Sequence, residues 1–110
     1  MIHVTVRQDA KERIVAFTVE GHAGYEESGK DIICSAVSAL ALTAVNSIEA
    51  LTEYAFSSAI DEKTGKLDFS LQDEAGHDSQ LLLQAFVLGI KGIEESYGSR
   101  YIHLDMITDK

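Results

Sequence analysis

Cysteine occurs once in the 110 residues, at Cys34, so the chain cannot close a disulfide on itself. That excludes a secreted scaffold stapled by bridges. Basic residues are also few: 9 Lys and Arg stand against 18 Asp and Glu, a net charge of −9. An acidic domain without a basic stripe repels phosphate backbones, which argues against direct nucleic-acid binding. The acidity either attracts a basic partner or simply keeps the protein in solution. Repeats, low-complexity tracts and linkers are missing too, so residues 1–110 read as one domain. The start, MIHVTVRQDAKER, lacks the basic region and apolar core of a signal peptide. The longest apolar stretch, Ile32 to Ile48, is broken by Ser35, Ser38, Thr43 and Asn46 and runs into Glu49. It reads as a buried helix rather than a membrane span. A cytoplasmic domain, off the membrane, is expected.

What is present is a clear pattern of elements. Ile2, Val4 and Val6 alternate with His3, Thr5 and Arg7, as in a half-buried strand. Val15, Phe17 and Val19 repeat that alternation after a polar turn at Gln8 to Glu12, which predicts a hairpin. Phe56 to Ile60 and Lys66 to Leu71 make a second strand pair around Thr64-Gly65. Ile102, Leu104 and Met106 give a fifth strand. Ile33, Val37, Leu40, Ala44, Ile48 and Leu51 share one face of a first helix, with Asp31 placed to cap it. A second helix runs from Asp78, a candidate cap, to Tyr97, with Gly98 ending it. Its main face is Leu82, Phe86, Ile90, Ile93 and Tyr97. A further stripe, Leu81, Ala85 and Leu88, has two fates open to it: burial against the first helix, or a dimer contact. The order strand, strand, helix, strand, strand, helix, strand predicts an α+β two-layer sandwich. One five-stranded sheet carries both helices on one face.

The chemistry gathers between the second strand and the first helix. The segment Gly21 to Asp31 is long for a compact domain, and Gly21, Gly24 and Gly29 suit it to hinge motion, or to a plain exposed loop. Residues Ala23 to Lys30 would form a lid over the site. Cys34 falls in the first helical turn, where free amides and the helix dipole favour a thiolate. A lone cysteine also commonly just packs. His22, twelve positions earlier, ends the second strand and can reach back as general base. Asp31 either holds His22 or only caps the helix, and Ser38 either faces the thiol or bonds back to the preceding turn. The Cys34 amide is a candidate oxyanion donor. His3, His77 and His103 have no cysteine near them in sequence and read as strand or loop residues.

A zinc site fails on ligand count, since neither a CxxC nor an HxxxH pair exists, and no metal or other cofactor is expected. Phosphate binding by the loop fails as well, because Glu26 and Glu27 repel it and no Walker ending follows. A thiol redox sensor lacks a resolving cysteine within the chain.

Taken together, Gly21-His22-Ala23 and then Gly29-Lys30-Asp31-Ile32-Ile33-Cys34-Ser35-Ala36-Val37-Ser38 resemble a known signature. It is that of the ribosomal-processing cysteine protease family, approximately GHA, a glycine-bearing loop, then GxDIVCAxxS. Ile33 replaces the usual valine and Ser35 a frequent alanine. The similarity runs on through Gln80-Leu81-Leu82-Leu83 to Ile93-Glu94-Glu95-Ser96-Tyr97. The resemblance implies a nucleophile at Cys34, a base at His22 and supporting roles for Asp31 and Ser38. It also implies a homodimer that removes the N-terminal extension of a basic large-subunit ribosomal protein, cutting after an aromatic-rich stretch. The competing reading is a non-enzymatic acidic factor that binds such a protein.

Overall fold

The computed structural model describes residues 1–22, 24 and 31–109. Its elements are β1 (Ile2–Gln8), β2 (Ile14–Gly21), α1 (Ile32–Leu51), β3 (Phe56–Ile60), β4 (Leu67–Leu71), α2 (His77–Tyr97) and β5 (Ile102–Thr108). Strand alternation makes the sheet one-sided. Val4, Val6, Phe17, Leu67, Phe69 and Ile102 are buried, whereas His3, Arg7, Asp68 and His103 are exposed. Both helices lie on the buried side, touch each other and share one core with the strands. At its centre Phe17 stacks on Phe69 at 5.1 Å and on Phe86 at 4.4 Å between ring centroids. This is the expected two-layer α+β sandwich.

The strand order is β3-β4-β2-β1-β5. Every pairing is antiparallel except β1 with β5, which is parallel. Helix α2 carries the chain from β4, on one side of the sheet, across β2 to the opposite edge. That crossover delivers β5 beside β1 in the same direction.

Three details depart from the sequence pattern. First, Arg7 pairs with Ala16 but Gln8 pairs with Ile14, so Val15 is the extra residue of a β-bulge. The bulge puts Ile14 in the core and leaves Val15 half-buried. Gln80 of α2 makes this tolerable: its Oε1 accepts the Ile14 N–H at 2.7 Å and its Nε2 donates to the Ile14 carbonyl at 2.8 Å. Second, the buried face of α1 runs through Ile33, Val37, Ala41, Ala44, Val45 and Ile48, and Leu51 is exposed. Leu40 is drawn into the seam with α2, where a Cβ on Gly89 would lie 2.8 Å from its Cδ1. Third, Asp78 is not the cap of α2 but a residue of its first turn. The cap is Gly76, whose N–H donates to the buried Ser79 hydroxyl and whose carbonyl accepts from it, both at 3.0 Å.

The buried face of α2 is Ser79, Leu83, Phe86, Val87 and Ile90, while Leu82 and Ile93 are half-buried and Tyr97 is exposed. Gly98 ends α2 as expected, its N–H donating to the Glu94 carbonyl at 2.8 Å. The stripe Leu81, Ala85 and Leu88 is not buried against α1: Leu81 is 60% and Leu88 69% exposed. Helix α1, at 20 residues, is long and apolar enough to cross a membrane by length and composition. Its inward face is spent on the sheet, which is the work of a core helix.

Candidate functional site

The expected residues lie at the end of β2 and in the first two turns of α1. Strand β2 ends at Gly21, paired with Ile2 and held at φ 93. A Cβ there would strike the Met1 carbonyl oxygen, so only glycine fits. Gly21 is therefore a packed strand residue rather than the start of a free loop. His22 follows at once, outside any strand and exposed. Gly24 also holds a positive φ, 70. Gly29, and with it nearly all of the expected lid, lies outside the described residues.

Asp31 is 5% exposed and caps α1: its Oδ1 accepts the Ile33 N–H at 3.0 Å and the Cys34 N–H at 3.1 Å. Its carbonyl accepts both the N–H and the hydroxyl of Ser35 at 3.1 Å. Capping, one of the two roles open to Asp31, is thus filled. The same contacts correct the expectation for the oxyanion donor. The Cys34 amide is not free, because the Asp31 carboxylate takes it.

Cys34 is half-buried and packs against the rim of the core. One turn on, Ser38 is exposed and lines a cavity of about 180 Å³ with Val19, Ala41, Leu42, Ile60, Gly65 and Leu67. Gly65 sits in the β3–β4 turn at φ 74, the positive φ expected of it. The sequence carries little signal for this cavity, since its wall is drawn from β2, α1, β3, β4 and a turn. Only the apolar ends of β3 and β2, at Ile60 and Val19, hint that side chains converge there.

Among the described residues, no three His, Cys, Asp or Glu side chains gather as a metal would require. His103 lies near Asp105 (Nε2 to Oδ1 3.0 Å) and His3 (ring centroids 6.4 Å), on the exposed face of β1 and β5.

Residues 1–103 match the model of a family described as Cysteine protease Prp. A ribosomal processing cysteine protease Prp of Bacillus subtilis is 33% identical over 101 residues, covering 88% of this chain and 90% of that protein. The namesake from Staphylococcus aureus is 30% identical over 97 residues, 88% and 92% of the two chains. A crystal structure of the essential ribosomal processing protease Prp from S. aureus, with a covalently linked product peptide, superposes with a TM-score of 0.91. It shares 29% identity and covers 96% of this chain and 99% of that one. A Streptococcus mutans structure superposes with a TM-score of 0.85 at 30% identity, over 99% of both chains.

Proposed function

The chain belongs to the Prp family of cysteine proteases, and we propose that Cys34 is its nucleophile and His22 its general base. The observation that carries this reading is a half-buried thiol in the capped first turn of α1, with His22 exposed at the end of the strand that precedes that helix in the chain. A neutral imidazole of His22 takes the Sγ proton, and the thiolate adds to the scissile carbonyl carbon. Collapse of that adduct breaks the C–N bond, and the imidazolium protonates the departing amine. Water, deprotonated by His22, then hydrolyses the thioester and restores the thiol.

The substrate in this reading is a basic large-subunit ribosomal protein, whose N-terminal extension is removed after an aromatic-rich stretch. The names of the relatives support it, and the charge of −9 suits a basic partner. Such a substrate implies work in the cytoplasm. The exposed Leu81, Ala85 and Leu88 stripe supports pairing of two copies, which the light-scattering mass of the parent and of Leu88→Glu would check.

Mass spectrometry of the purified chain mixed with the extended ribosomal protein tests the reaction. The parent is expected to release the extension, and Cys34→Ala none of it. His22→Ala should be slower by about two to four orders of magnitude. Cleavage retained by pure Cys34→Ala overturns the assignment, and binding without cleavage by the parent would favour an acidic binding factor instead.

A further inference from the structure

Strand β5 ends the sheet, and an edge strand offers a row of unpaired backbone groups to any other strand that meets it. The ladder with β1 fixes which groups these are. The Ile2 N–H donates to the Tyr101 carbonyl at 2.9 Å and the Asp109 N–H to the Gln8 carbonyl at 2.8 Å. The odd-numbered residues of this segment therefore face β1, and Leu104 and Met106 turn both their N–H and C=O groups away from the sheet. One of these four groups is taken: the Leu104 N–H donates to Oε2 of Glu94, on α2, at 3.1 Å. The same oxygen lies 4.0 Å from Nδ1 of His103, so the carboxylate sits at the rim of the strand. The other three groups have no partner among the described residues. We propose that Glu94 guards this edge: its carboxylate occupies the Leu104 amide, and without it two copies of the chain pair β5 to β5.

Length, side chains and register make a second copy the fitting occupant. Strand β5 has 7 residues, against 5 for β3 at the opposite edge. Met106 is 40% exposed on the helical side of the sheet and Ile107 47% exposed on the open side, so an added strand would cover apolar surface on both faces. A two-fold antiparallel pairing about Met106 sets Met106 against itself, Leu104 against the second copy's Thr108 and Asp105 against its Ile107. No like charges face each other there, whereas pairing about Asp105 would oppose two carboxylates. In the favoured register the Leu104 N–H must donate to the carbonyl of the second copy's Thr108. An added strand lies about 4.8 Å away, with its carbonyl oxygen about 2.9 Å from the amide. The Glu94 oxygen already fills that place, and symmetry makes the block act twice.

Glu94→Ala opens the amide, while Glu94→Gln leaves an acceptor on it. Alanine is a good helix former, so α2 should survive the exchange, which circular dichroism checks. Sedimentation velocity follows mass over a concentration series, and amide exchange by NMR follows Leu104 and Met106. The surface is separate from the Leu81, Ala85 and Leu88 stripe, so each mass is compared with the parent's at equal concentration. Glu94→Gln should match the parent throughout, and Glu94→Ala should rise to twice the parent's mass. In the parent the Leu104 amide should exchange more slowly than that of Met106. In Glu94→Ala both should exchange fast when dilute and slow together as the mass doubles. Adding Met106→Lys opposes two ammonium groups in the paired register, and should return the mass to the parent's while both amides stay fast. Glu94→Ala at the parent's mass at every concentration would overturn the proposal, leaving Glu94 only to tie α2 to β5. Assembly that survives Met106→Lys would place the contact on another surface and overturn it as well.

Discussion

Replacing Asp31 separates the two duties a carboxylate can have at this position. Its Oδ1 accepts two amides of the first turn of α1 at 3.0 and 3.1 Å, and the residue is 5% exposed, so water is poorly placed to replace it. Losing an N-cap costs about 1–2 kcal/mol, and losing a negative charge at a helix N-terminus costs about 0.3–1 kcal/mol more. Asp31→Ala should therefore destabilise the fold by about 1–3 kcal/mol. In a domain near this size each kcal/mol moves Tm by about 4–8 °C, so a fall of about 5–25 °C is expected. Asp31→Asn keeps a carbonyl in the same place and loses only the charge, at most about 1 kcal/mol. Urea unfolding followed by circular dichroism gives the stabilities, and kcat/KM on the extended ribosomal protein gives the activity. If capping is the residue's duty, Asp31→Asn keeps most of its activity. A loss by Asp31→Ala below about 0.5 kcal/mol would refute the capping argument. A drop of about 10³–10⁴ in Asp31→Asn at unchanged stability would instead assign the carboxylate to holding His22.

Gln80→Ala removes the hydrogen bonds it makes to both backbone groups of Ile14, and each unsatisfied group costs about 1–3 kcal/mol, so urea unfolding should show a loss of about 2–6 kcal/mol. A loss under about 1 kcal/mol would mean that water fills the gap. Gly21→Ala must bear a positive φ as well as a contact with the Met1 carbonyl oxygen. Its thermal melt should reveal a cost of at least about 1–3 kcal/mol, and a melt equal to the parent's would contradict the packing described for that strand end. With a net charge of −9, kcat/KM on a basic protein substrate should fall as salt rises, because opposite charges steer the encounter. Rates that are equal at low and physiological salt would leave solubility as the only role of the acidity.

Local chemistry was legible in the sequence because its causes are local. Alternation with period two marked the strands, since each side chain's face is set by its neighbours along the chain. Helical spacing marked α1 and α2, and Asp31 was readable as a cap because a carboxylate three residues before an amide reaches it wherever the helix lies. The Gly-His-Ala and Asp-x-x-Cys spacing likewise placed His22 and Cys34 on either side of one loop. The tertiary structure decided what depends on residues far apart in the chain. Alternation alone put Val15 in the first hairpin's core pattern, but the bulge put Ile14 there, and it is held by Gln80, 66 residues away. Helical spacing allowed Leu40 and Leu51 one face, but the seam with α2 took Leu40 and left Leu51 in solvent. The Cys34 amide looked available until the orientation of the Asp31 side chain was known. The parallel partnership of β5 with β1 and the apolar cavity lined by Ser38 could not be read from any short window. Both arise from the packing of elements that share no sequence neighbourhood, and burial energy depends on what finally lies against a side chain, not on what precedes it.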